Sequence, residues 1–423
     1  MRVIYTFIPA ALAVMMAFSG CVKEKCSRKF KTKIFTPVYT ATADYYASVK
    51  AEEPRAIEQA GKIYAKGTLL FVNEIYKGIH VIDNSDPKAP EAVSFINVPG
   101  NIDIAAKGNY LYADSYSDLL VFDISDPRQI KLEKRVGSVL NFPYNADGLT
   151  LGYQIPQSPF MITGYTSRDT VYDLDCTTPE RMIFFDAAVA SFASSLKSNN
   201  SGGSGKGGSM ARFTIAKDYL YTVNHSQLKS FDLANAASPL HKSDQQVGGN
   251  IETIFPYGEY LFIGSRNAMY IYDIINPASP ARRSQVTHFR ACDPVVVEGT
   301  TAYVTLRTGT ICAGNLNELQ VFDVKDVDNP VKLATYQMKG PYGLGVDNGK
   351  LFVCEGPFGL RFMNAPEPLK ITTAKLVEGL DAYDVIPYYD QHLLVSARGG
   401  IYQYDYTNIN NPVLLSKIST AAK

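Results

Sequence analysis

The chain has 423 residues, 46% of them hydrophobic and 12% aromatic, with Tyr 28, Phe 21 and no Trp. Lys+Arg and Asp+Glu both number 41, so the formal net charge is zero and there is no basic footprint for nucleic acid. This much apolar material supports a sizeable core, and abundant Tyr punctuated by Gly and Pro suits many short strands and turns.

At the N-terminus Arg2 precedes an apolar run from Ile4 to Phe18. That is the length of a secretory h-region and short for a membrane span. The run ends in Phe18-Ser19-Gly20-Cys21, which resembles a lipobox with Phe where Leu is usual. Residues 1–20 are expected to be a signal peptide and Cys21 a lipidated N-terminus. The expected location is the bacterial outer membrane, with the periplasmic and cell-surface sides both open. No later stretch is apolar and long enough to span a bilayer, so lipid is the expected anchor. Residues 21–59 begin Lys-rich and continue through Tyr45-Tyr46 and Glu53-Pro54. They read as a tether followed by a segment packed on the body behind it.

From residue 60 to 420 one unit recurs. A strand ends in an apolar or aromatic residue, then Asp or Asn, then a turn that carries Pro. The copies include HVIDNSDPKAP at 80–90, LVFDISDPRQI at 120–130, YIYDIINPASP at 270–280 and YQYDYTNINNP at 402–412. The marked positions are Asp83, Asp123, Asp232, Asp273, Asp323, Asn364 and Asp405. They recur about every 40 residues once one long and one short insertion are set aside. Each unit reads as four strands. In the second, Lys107-Gly108-Asn109 is a turn between two strands, and Ala216-Lys217-Asp218-Tyr219 and Asp347-Asn348-Gly349-Lys350 hold the same place in later units. Gly, Asn and Asp belong there because the turn needs φ > 0. Pro after the third strand lacks a ladder N–H, and the Asp before it can close a side-chain-to-backbone turn.

Four short strands at this period predict a β-propeller blade. One blade cannot bury both faces, whereas seven around an axis can. The predicted fold is all-β: a seven-bladed propeller of four-stranded blades, with no strand swap at closure. Residues 140–210 interrupt the array between the second and third units. Arg181 to Leu196 is apolar-periodic and predicts a helix. The run from Asn199 to Ser209 is flexible by composition. It lacks the spacing of a phosphate loop, and so long an insertion is expected to be either disordered or a lid over one propeller face.

The segments GIHVID at 78–83, LLVFDI at 119–124 and ELQVFDV at 318–324 resemble the LVIVD-repeat family. That resemblance covers roughly residues 60–420 and implies a bacterial envelope protein, in a family mostly without known activity. ACDPVVV and TGTICAG resemble paired-Cys segments of that family. They place Cys292 and Cys312 at one face of the fifth unit, where an oxidising compartment favours a disulfide if their Cα atoms come within about 7 Å.

The starts of first strands and the ends of second strands should line one mouth of the channel, beneath the insertion. Starts offer Asn101, Asp103, Asn250, Glu252, Asp293, Asp381 and Asp384. Ends offer Glu74, Asp114, His225, Arg266, Arg307, Glu355 and Arg398. Of these, Asp103, Glu252, Asp293, Arg266, Arg307, Glu355 and Arg398 are the candidate ligand-binding residues. No cofactor is expected. Asp103, Glu252 and Asp293 have the chemistry of Ca²⁺ ligands but lack a loop of metal-binding spacing. His80, His225, His241, His288 and His392 form no metal pair, and no nucleophile-elbow motif is present. The expected role is a binding or scaffold propeller for an envelope protein, a glycan or a small molecule. The alternative is a hydrolase or lyase at the channel mouth, drawing its residues from several blades.

Overall fold

The computed structural model of the protein describes residues 27–140, 144–146, 149–151, 159–175, 206–287, 294–307 and 316–420. Cys21, Asp293, Cys292 and Cys312 lie outside these residues, as do the expected signal peptide and the helix expected over 181–196. The chain divides into two compact units: residues 38–164 with 190–423, and residues 1–37 with 165–189. The described part of the smaller unit is residues 27–37 and 165–175, which belong to the strands Ser27–Ala41 and Phe160–Asp175. There Thr166 Oγ1 donates to the Thr36 carbonyl at 3.4 Å.

The larger unit is a seven-bladed propeller of four-stranded antiparallel sheets. Blade one comprises Ala60–Lys66, Leu69–Glu74, Gly78–Asp83 and Glu91–Asn97. Blade two is Ile104–Lys107, Tyr110–Ser115, Asp118–Asp123 and Lys131–Val136, and blade three is Phe213–Ala216, Tyr219–Val223, Gln227–Asp232 and Leu240–Gln246. Blades four and five start at Ile251 and Val295, and blades six and seven at Leu344 and Ala382. Every blade uses four consecutive strands, so none is exchanged at closure.

The three inner strands of each blade are buried, and outside blade one, whose fourth strand Glu91–Asn97 is itself mostly buried, the fourth strand is exposed or half-exposed, as Lys131–Val136 shows. Phe71, Phe122, Phe231, Phe262 and Phe352 are fully buried between blades. Each contributes roughly 1.5–3 kcal/mol by leaving water, which no isolated sheet could provide on both faces. The turn between first and second strands has the expected left-handed backbone. Lys217 and Asp218 take φ 49° and 60°, and Asn348 and Gly349 take 49° and 71°. The recurring Asp closes the expected turn: Ser85, Ser125, Lys325 and Thr407 donate backbone N–H groups to Asp83, Asp123, Asp323 and Asp405 at 2.7–2.9 Å.

Hydroxyls tie several of these turns to the preceding blade. Ser94, Ser284 and Ser416 donate to the carbonyls of Pro127, Val327 and Pro87. The last of these closes the ring from blade seven to blade one. There Asn84 and Gln403 exchange two amide hydrogen bonds, at 3.0 and 2.7 Å, with both residues buried.

Two segments extend blade one. Lys50–Glu52 pairs with its outer strand, and Lys206–Gly207 pairs with its inner strand at Ala65 and Tyr64. The second is a departure from the sequence reading. Residues 206–209, the end of the glycine-serine stretch, are built into the channel wall, because the backbone of blade one's inner strand offers them a ladder edge. The helix Thr42–Ser48 buries Tyr45, whose hydroxyl donates to Ser115 Oγ at 2.7 Å and whose pKa burial pushes up to about 12.

Candidate functional site

At the end of the channel where inner strands begin, the register puts one residue of each blade at an equivalent place. Ile63, Ile104 and Phe213 pair with Val72, Ala113 and Thr222, the fourth residues of their second strands. The residues just before them are Lys62, Asp103 and Arg212. The half-buried Lys62 forms an ion pair with the buried Asp103, and the buried Arg212 lies beside them. Lys62 Nζ and the Arg212 backbone N–H both meet Asp103 Oδ2. Burial lowers the pKa of Lys62 and of Arg212, and the Asp103 carboxylate opposes the shift in both.

Asp114 lies behind this group, fully buried. Its Oδ1 accepts from Asn101 Nδ2, Ile102 N and Asp103 N at 2.7–2.8 Å, while Oδ2 meets no donor. Burial pushes its pKa up to about 7 against the pull of those amides. Asn73 Nδ2 donates to Asn101 Oδ1 at 2.6 Å and extends the network.

The other candidates fall into separate local pairs. Glu252 Oε1 accepts from Arg266 Nε at 2.8 Å, with both residues buried. Glu355 is fully buried and is held by Arg361 Nε at 2.7 Å and the Lys339 backbone N–H at 2.7 Å. Arg398 is exposed and pairs with Asp381 at 2.8 Å. The Arg307 guanidinium lies 3.8 Å from the centre of the Tyr342 ring. Glu74 binds Lys77 and His80, each at 2.8 Å. Asn250 and His225 contribute carbonyls, to Arg266 N and Ile251 N. Among the described residues no three His, Cys, Asp or Glu gather as metal ligands.

The expected ring thus resolves into one buried network and several isolated pairs. Its cationic half, Lys62 and Arg212, escaped the sequence reading. Both occupy the first-strand position that selected Asp103, and extending that rule to blades one and three finds them.

The channel opens at its other end, where inner strands finish. A cavity of about 460 Å³ is walled by inner strands of blades four to seven and by the 206–209 segment. Leu344, Val346, Val385 and Ile386 supply apolar surface, and Lys206, Tyr257, Glu298 and Asp347 supply polar groups. Glu298 accepts the backbone N–H groups of Asn348 and Gly349 at 2.6 and 2.8 Å. Asp347 Oδ2 accepts the Tyr406 hydroxyl at 2.9 Å. Lys206 Nζ reaches the Pro387 carbonyl at 3.4 Å and lies 5.9 Å from the Tyr389 ring centre. No carboxylate of the described residues pairs with Lys206, and burial lowers its pKa, with Asp347 opposing the shift. The sequence reading missed this cavity because Lys206 sat in a stretch judged flexible by composition.

The chain carries LVIVD repeats: the family model of that repeat matches residues 101–137 and 248–287, which span blades two and four. No curated protein matches the chain. Among solved structures, the periplasmic gluconolactonase of Pseudomonas aeruginosa superposes with a TM-score of 0.55 at 11% identity, over 86% of this chain and 96% of that one. A computationally designed protein gives 0.49 at 9% identity, covering 88% of each chain. A protein from Lactobacillus plantarum gives 0.48 at 11%, over 86% and 97%. The likeness to the gluconolactonase, at 11% identity, is one of fold.

Proposed function

We propose that this seven-bladed LVIVD-repeat propeller is a binding protein of the bacterial envelope, tethered by lipid on Cys21, that takes a small polar ligand into the open end of its channel. Lys206 carries the reading. It is a half-buried ammonium in a cavity, without a carboxylate partner among the described residues. A desolvated cation in that setting gains from an anionic or hydroxyl-rich guest. Tyr257 and the apolar strand residues offer a surface for the rest of the molecule. A sugar acid or an amino acid has this chemistry. At the opposite end the Asp103 and Glu252 carboxylates are already held by Lys62 and Arg266, which favours binding over a hydrolase or lyase built on them.

The test is a thermal-shift panel of sugar acids, amino sugars and amino acids on the wild type, Lys206→Met and Arg398→Ala. A compound that raises Tm in the wild type and in Arg398→Ala, but not in Lys206→Met, supports the reading. A panel without effect, or an effect lost only in Arg398→Ala, overturns it.

A further inference from the structure

One cross-strand pair differs in blade one. Where the third strand faces the outer strand, the other blades present Phe122 with Leu132, Phe231 with His241, Tyr272 with Arg282, Phe322 with Lys332, Met363 with Thr373, and Tyr404 with Leu414. Blade one presents Ile82 with Ala92. Paired residues share a sheet face, so this seam lacks the volume that large side chains fill elsewhere. A cavity of about 590 Å³ lies there, between blade one and the outer strand of blade seven.

We infer that this seam is a second binding site, built for a small amphiphilic anion. Its middle is apolar, with Ile57, Ile82, Ala92 and Ile418. Arg55 and Lys88 line it, and no Asp or Glu does. The Arg55 guanidinium lies 3.6 Å from the Phe95 ring centre and reaches Glu74 only at 3.4 Å, while Lys77 and His80 share that carboxylate at 2.8 Å. Lys88 pairs with no carboxylate of the described residues. The walls are joined at two points. Ile57 bridges Thr420 at one, and Ser416 holds the Pro87 turn at the other. A cavity of this volume suits a small molecule better than an extended peptide. An apolar body on Ile82 and Ala92, with a carboxylate or phosphate turned to Arg55 or Lys88, uses every feature of the wall.

Isothermal titration of the whole protein tests this with octanoate, using octanol and acetate as the uncharged and bodiless controls. Octanoate is expected to bind one per chain, with both controls at least about tenfold weaker. Ala92→Leu installs the residue that blades two and seven carry at this register, and should weaken octanoate at least about tenfold while Tm holds. Lys88→Glu, on an exposed turn that tolerates change, should weaken it about threefold. Lys206→Met in the channel should leave it unchanged, which separates this site from the first. Octanol binding as tightly as octanoate, or no octanoate binding, overturns the inference. So does unaltered binding to folded Ala92→Leu or to Lys88→Glu, or binding lost in Lys206→Met.

Discussion

The backbone amide of Leu344 donates to Ser209 Oγ at 2.6 Å, across the channel between the end of the insertion and the inner strand of blade six. Ser209 is also 3.5 Å from Asp384 of blade seven, while its neighbours at 206–207 pair with blade one. Three blades therefore hold one short stretch. Ser209→Ala would leave a buried amide without its acceptor, at a cost of about 1–3 kcal/mol. Denaturant unfolding should read that loss, and hydrogen exchange should show faster exchange at Leu344. Unchanged exchange there would contradict the threading.

The ion pair of Lys62 with Asp103 should behave as a buried pair does. Asp103→Ala strands a buried ammonium and should cost about 3–5 kcal/mol. The double variant Lys62→Met, Asp103→Leu should recover part of the loss, giving a favourable coupling in a double-mutant cycle. Arg398→Ala, on the exposed Arg398–Asp381 pair, should leave Tm within error.

Asp114 gives the protein a pH signature of unusual sign. Its folded pKa, about 7, stands above the ordinary Asp value of 3.8. Between those values the folded state holds a proton that the unfolded state has released. Its contribution is thus fully present below about pH 4 and lost as pH rises through 7. Asp114→Asn keeps an oxygen for the three donors at Oδ1 and removes the titration. The variant should be more stable than wild type at pH 8, with the gap closing at pH 5. A Tm difference that is the same at both pH values would contradict this.

Closure should depend on the paired amides of Asn84 and Gln403. Gln403→Leu leaves the Asn84 amide buried and unmatched, a penalty of about 1–3 kcal/mol. Asn84→Leu combined with Gln403→Leu should cost less than Gln403→Leu alone, since two apolar partners leave nothing unmatched. Equilibrium unfolding of the three variants gives the comparison.

The blades were legible because their signals are local. The Asp or Asn at the end of each third strand, the Pro beyond it and the left-handed turn residues all act within a few positions, so spacing along the chain reports them. The site was less legible because its partners come from different blades. Asp103 was picked out by its place at the start of an inner strand, but its cation, Lys62, lies 41 residues earlier, and only the register between strands shows that the two share a level. Lys206 was hidden for another reason. A run of Gly and Ser reads as flexible until a neighbouring strand edge gives its backbone a partner, and that edge belongs to blade one.

The most direct test of the binding account is a crystal structure of the protein with the panel compound that stabilises it most. The account predicts density for that compound in the channel cavity, with a carboxylate or hydroxyl group within hydrogen-bond reach of Lys206 Nζ and its body against Val346 and Val385. Density beside Arg307, or on the Arg398–Asp381 face, with the cavity around Lys206 empty, would contradict it.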